Sequence, residues 1–146
     1  MMDVVKRSDT AAAVLERFIE AEVAYFAGRI GTFPAEEFLW PDFVLHEPES
    51  MPYGGAWHGH DGFRRFLEVM TRTWSTMGPK EPPELVEQGG IVVVLATLHA
   101  RARATGELVE SPVSQVVRVR EGRLAEARMF YWDTEAINKA FGHDRT

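Results

Sequence analysis

The chain has 146 residues, 45% of them hydrophobic and 26% charged, a composition of ordinary single-domain size that excludes wholesale disorder. Its net charge of −6 argues against a nucleic-acid binder, which more often carries a basic face. The absence of cysteine excludes a disulfide scaffold, a thiolate metal site and a Cys nucleophile, and fits a reducing compartment, by default the cytoplasm.

The N-terminus, Met1 to Thr10, is polar and lacks the apolar core of a signal peptide. The longest apolar run, Ile91 to Ala96, is far short of a membrane span, so no membrane partner is expected. One domain over residues 1–146 is the reading throughout. Asp9 is placed to cap a first helix. Val14, Leu15, Phe18, Ile19, Tyr25 and Phe26 form its apolar stripe, and Gly28 suits a left-handed stop. Thr32 to Leu39 reads as a short helix with Pro34 in its first turn. Phe43 to Glu47 reads as a strand closed by Pro48, and Glu49 to His58 as a Pro- and Gly-rich loop.

Gly59 to Met77 has the strongest helical signal. Phe63, Phe66, Leu67, Met70, Trp74 and Met77 recur at helical spacing, Asp61 sits in the first turn, and Gly78-Pro79 ends the pattern. The period then changes. Glu84 to Gln88, Ile91 to Arg103, Val109 to Arg120 and Arg123 to Asp133 read as strands joined by Gly-containing turns. Glu135 to Phe141 closes the chain as a helix.

This order predicts an α+β fold: a curved antiparallel sheet, cone-shaped, packed against N-terminal helices. The mouth of such a cone is a pocket. Alternation places Ala125, Ala127, Met129, Tyr131 and Asp133 inside, with Leu124, Glu126, Arg128, Phe130 and Trp132 outside. Val113, Gln115, Val117 and Val119 form the inner face of the preceding strand, with Gln115 its one polar member. On the strand before that, Leu98, Ala100 and Ala102 face inward.

Three segments carry a family resemblance over about Asp9 to Gly142. Val44-Leu45-His46-Glu47-Pro48 before a Gly-rich loop, Val113-Ser114-Gln115-Val116-Val117-Arg118 before a tight turn, and Met129-Phe130-Tyr131-Trp132-Asp133-Thr134 are the segments. The chain resembles the nuclear-transport-factor-2-like superfamily, with its cystatin-like fold, and within it the SnoaL-like polyketide cyclases and the ketosteroid isomerases. The resemblance implies that Glu47 matches the isomerase base and Gln115 the oxyanion-hole acid. It also implies that Asp133 matches the acid/base of the cyclases. It departs at Phe18, which stands where the isomerases carry an oxyanion-hole Tyr. The superfamily also implies a homodimer.

The residues themselves leave choices open. Glu47 needs apolar neighbours, such as Trp57 and Trp74, to raise its pKa; otherwise it is a solvated strand end. Asp133 is either a pocket acid or the cap of the last helix. His46, adjacent to Glu47, points the other way and stands as the spare acid/base. His58 and His60 with Asp61 offer no evident third ligand, so no metal is expected. Tyr53, Trp57, Trp74, Val113, Met129 and Tyr131 suit a flat, apolar or aromatic ligand. Arg101, Arg103, Arg118, Arg120 and Arg128 are interleaved with Glu107, Glu110, Glu121 and Glu126, which favours cross-strand ion pairs or a dimer interface over nucleic acid.

The expected function is acid–base chemistry without metal or cofactor on a small apolar carbonyl compound. Isomerisation, cyclisation and dehydration share the same enolate-forming step, with Gln115 and Tyr131 holding the enolate. The alternatives are a non-catalytic binding protein for an apolar or aromatic molecule, and a structural dimer with a remnant cavity.

Overall fold

The computed structural model describes residues 10–142. Helix α1 (Ala11–Phe26) starts at Thr10, whose Oγ1 accepts the Ala13 N–H at 3.0 Å. Asp9, the expected cap, lies outside the described residues. The helix stops at Gly28, with φ of 76°. Helix α2 (Ala35–Phe38) is one turn, because Leu39 already belongs to strand β1 (Leu39–Glu47). Pro41 therefore lies inside β1, tolerated where the register shifts between Leu39 and Val44.

Two strands replace expected loop and helix. Strand β2 (Gly55–His58) pairs antiparallel with the end of β1, and helix α3 (Gly59–Thr73) follows at once. That helix stops four residues earlier than its apolar spacing suggests. Trp74 and Met77 belong instead to strand β3 (Trp74–Pro79), paired with strand β5 (Ile91–Ala102). Their spacing of three fits a helix turn as well as a strand interrupted by a bulge, and a register shift indeed falls between Trp74 and Thr76. Strand β4 (Glu84–Gln88) pairs with the first half of β5, so β3 and β4 share one edge. Strands β6 (Leu108–Arg120) and β7 (Arg123–Tyr131) complete the meander, and helix α4 (Thr134–Ala140) follows.

The sheet order is β2-β1-β7-β6-β5-β3. All its pairings are antiparallel except β1 with β7. This one parallel contact brings the end of β1 beside the end of β7. The β6–β7 turn uses Glu121 and Gly122 at φ of 48° and 83°, the left-handed pair that a two-residue hairpin demands. A bulge follows: Arg118 pairs with Glu126, whereas Val119 pairs with Leu124. Ala125 is the extra residue, so Leu124 turns inward and is fully buried, against the outward place that simple alternation gives it. Above the bulge, Ala127, Met129 and Tyr131 keep the inward face.

The sheet curls around α1 and α3. Phe18, Phe33 and Phe63 pack with ring centroids 5.3–5.6 Å apart, and Phe43 lies 5.9 Å from Phe63. This aromatic cluster fills one part of the cone and leaves the space above it open.

Candidate active site

A cavity of about 120 Å³ lies between α1, α3 and the concave sheet. Its wall is mostly apolar: Phe18, Ile19 and Phe26 from α1, Phe43 and Leu45 from β1, Met77 from β3, Val94 from β5, Met129 from β7. Val23, 38% exposed, marks the mouth. Five polar side chains face the space: Glu22, Glu47, Thr97, Gln115 and Tyr131. No Lys, Arg or His lines it among the described residues.

Glu47 takes its direction from β1, where Phe43, Leu45 and Glu47 alternate inward. It is 5% exposed and has no cationic partner among the described residues. The Tyr131 hydroxyl donates to its Oε1 at 2.9 Å. Burial pushes the Glu47 carboxyl up to about 8; the Tyr131 bond opposes that shift, and the negative charge of Glu22 adds to it. Tyr131 is itself held as a neutral phenol, well above its ordinary range, by burial and by the charge of Glu47. Its hydroxyl also meets that of Tyr53.

Gln115 faces the cavity as its strand alternation requires. It pairs with Met129 on β7, and His46 pairs with Arg128, which makes Glu47 level with Met129. Glu47 and Gln115 therefore stand on either side of β7, two strand spacings or roughly 10 Å apart at the backbone. Both side chains line the same cavity, as does Met129 between them.

The other expected residues fall elsewhere. Strand β7 ends at Tyr131, two residues before Asp133, so alternation does not carry on to it. The Asp133 carboxylate caps α4 by accepting the Ala136 N–H at 2.9 Å, and it is exposed. His46 points outward and its Nε2 lies 2.9 Å from Glu126 Oε2. Tyr53, Trp57 and Trp74 are not cavity-lining residues; they form the layer behind Glu47 and Tyr131. Trp57 donates to the Tyr53 carbonyl at 3.1 Å and packs on Phe66, and Trp74 packs on Phe141. Tyr53 is drawn inward by the turns after β1, where Met51 N–H donates to Pro48 O and Gly54 N–H to Met51 O. Gly54 is required there, since a Cβ would run into the Pro48 carbonyl oxygen. Among the described residues no three His, Cys, Asp or Glu side chains stand close enough to hold a metal, and His60 hydrogen-bonds through Nε2 to the Leu39 carbonyl at 2.8 Å.

Glu22 is the residue that the stripe reading passed over. It lies one turn beyond Phe18 and Ile19 and one turn before Phe26, on the apolar stripe itself. It is half-buried and lines the cavity. Enclosure of the carboxyl pushes it up to about 8. A glutamate interrupting a helix's buried stripe was the available signal.

A curled sheet closed by N-terminal helices around an apolar pocket defines the nuclear-transport-factor-2-like, cystatin-like fold. The family model for the SnoaL-like domain matches residues 15–127, and the chain belongs to that family. A Burkholderia xenovorans protein of the nuclear-transport-factor-2-like type superposes with a TM-score of 0.75 at 23% identity, over 88% of this chain and 95% of that one. A Burkholderia pseudomallei protein of the same type, of unknown function, gives 0.73 at 25% identity over 89% and 98%. TerC, co-crystallised with polyporic acid, gives 0.72 at 25% identity over 89% and 99%. No curated protein matches the sequence. No helix among the described residues is long and apolar enough to cross a membrane.

Proposed function

We propose that the chain is an acid–base enzyme, of the isomerase, cyclase or dehydratase type, acting without a cofactor on a small apolar carbonyl compound. The observation that carries this reading is Glu47: a buried carboxyl, unpaired with any cation among the described residues, held by Tyr131 in the wall of an apolar cavity. A carboxylate kept out of water is a stronger base than a solvated one. Glu47 removes a proton from the carbon next to the carbonyl. Gln115, about two strand spacings away, donates a hydrogen bond to the carbonyl oxygen as it becomes an enolate. With Glu47 near 8, its ionised fraction and the rate rise with pH up to about that value. The co-crystal of TerC with polyporic acid supports a small organic ligand in a relative's structure.

The test needs no natural substrate. Wild-type protein is incubated in D₂O with 3-cyclohexen-1-one; NMR follows α-deuteration and ultraviolet absorbance follows conjugation. Both are expected to exceed the buffer rate, and Glu47→Gln is expected to lower them at least about 10²-fold. Wild-type protein that binds the ketone but exchanges it no faster than buffer would overturn the enzyme in favour of a binding protein.

The same reading takes a second copy of the chain as the partner of the outer sheet face, where Phe130 and Trp132 are 50% and 83% exposed. Light scattering at micromolar concentration should give twice the chain mass; a 16.5 kDa species would rule the dimer out.

A further inference from the structure

The cavity holds two carboxyl groups on facing walls, Glu22 on α1 and Glu47 on β1, with no cation to neutralise either among its lining residues. The groups that face them are Tyr131 from β7, Gln115 from β6 and Thr97 from β5, while α3 contributes only Phe63 and Phe66. Tyr131 binds Glu47, whereas Glu22 has no hydrogen-bond or ion-pair partner among the described residues. Leucine at position 22 would complete the stripe and remove a half-buried carboxyl that has no partner among the described residues, so the carboxyl costs stability where it stands.

We propose that Glu22 is the second proton-transfer residue of this cavity, the acid that protonates the carbonyl oxygen while Glu47 takes the α-proton. The proposal rests on the reading of Glu47 as the base and adds its partner. Two carboxyls in one apolar space disfavour double ionisation, so the working state of the pair carries one proton and one negative charge. Each group fixes the other's role: a neutral Glu22 favours ionised Glu47, and the reverse.

The step balances. The α C–H bond breaks and its proton goes to a Glu47 oxygen. The C–H electron pair becomes the new carbon–carbon double bond. The carbonyl π pair moves onto oxygen, which takes the Glu22 proton and gives an enol. The pair has charge −1 before and after, so no net charge is created or lost in the low-dielectric space. Return of the Glu47 proton to a different carbon, with Glu22 recovering the enol proton, completes an isomerisation. A cavity with two acids and no cation also disfavours carboxylate ligands and admits neutral carbonyl compounds.

The test compares wild type, Glu22→Gln, Glu22→Leu and Glu47→Gln on 3-cyclohexen-1-one from pH 5 to 10. Wild type should give a bell-shaped profile of kcat/KM, since one group must be ionised and the other protonated. Glu22→Gln should lower kcat/KM about 10²-fold and keep only the rising limb. That limb should stay close to its wild-type position, because it reports Glu47 ionising beside a protonated Glu22, and neutral Gln leaves the same charge there. A ligand-free titration of the Glu47 carboxyl by ¹³C NMR should lose its high-pH phase in Glu22→Gln, since only an ionised Glu22 holds the Glu47 proton on. Glu22→Leu should fold and lose activity to a similar extent. If Glu22→Gln retains the wild-type rate and bell while Glu47→Gln is inactive, Glu22 has no such role and the base reading survives. A lowered rate with an unchanged bell also overturns the proposal, as it marks a structural role alone. If Glu47→Gln matches wild type, the base reading fails and this one with it.

Discussion

On the outer face of the sheet, Glu126 lies 2.9 Å from His46, 3.5 Å from Arg128 and 3.6 Å from Arg118. On the concave face, Glu47 is the next residue along the chain from His46 and has, among the described residues, a single hydrogen-bond donor, Tyr131, and no cation. The two faces of one sheet thus treat the same side-chain chemistry in opposite ways. Outside, charge is matched and solvated; inside, it is unmatched and dry. The contrast teaches that the identity of an acid says little about its work, and the medium around it says most.

That contrast can be broken most strongly at Glu47. Its folded pKa near 8 against 4.5 unfolded means the native state holds an extra proton between those values. Stability from this group is therefore full below about 4.5 and falls as pH rises to about 8, by on the order of 5 kcal/mol. Denaturant titrations across that range should show the decline in wild type and a flatter line in Glu47→Gln; parallel lines would mean that Glu47 is solvated like Glu126. Gln115→Leu comes next. It should leave the fold intact and weaken a carbonyl ligand by roughly 1–3 kcal/mol, with a hydrocarbon of the same shape unaffected. Calorimetry with cyclohexanone and methylenecyclohexane as probes would decide; equal losses for both would remove Gln115 from the site.

Tyr131→Phe sharpens the comparison on the inside. Deleting the one bond that favours ionised Glu47 should cost about 1 kcal/mol and move the Glu47 titration still higher, which ¹³C NMR can read. A downward movement would show that the hydroxyl plays another part. The smallest effects belong outside. Glu126→Gln should change stability by about 0.5 kcal/mol or less and leave ketone exchange untouched, since its partners are surface pairs. Asp133→Asn should be equally silent, because Asn caps α4 as well as Asp does.

Much of the architecture is legible in the residues because most elements agree with their own period. The strands of the meander and the stripe of α1 needed no partner to declare themselves. The misplacements share a cause: local pattern cannot report a long-range pairing. Trp74 and Met77 satisfy a helical spacing, and only β5 across the sheet makes them a strand. Leu124 takes the inner face through a bulge whose register is set against Arg118 and Val119. For the site, alternation puts Gln115 on the inner face of its strand and resemblance singles out Glu47, and both line the cavity. Alternation carried past Tyr131 puts Asp133 inside, but the strand ends there and the carboxylate caps α4 instead. Glu22 is hidden for a different reason: a charged residue in a helix ordinarily faces solvent, and only the curl of the sheet over α1 turns that position toward a cavity.

The parallel contact of β1 with β7 has a consequence for how the molecule comes into being. The bond from Tyr131 to Glu47 spans 84 positions of chain, and no local hairpin can form it. Contacts of such long sequence separation carry the largest loop-closure entropy and slow folding. Helices α1 and α3 and the β5–β6–β7 meander have near neighbours and can assemble early; docking of β1 onto β7 is the step that joins them and encloses the carboxyls. Chains that have not taken that step expose an unpaired β7 edge together with Phe43 and Leu45, a surface suited to joining another chain's strand. The strand that creates the pocket is then also the one whose late arrival sets the risk of misassembly.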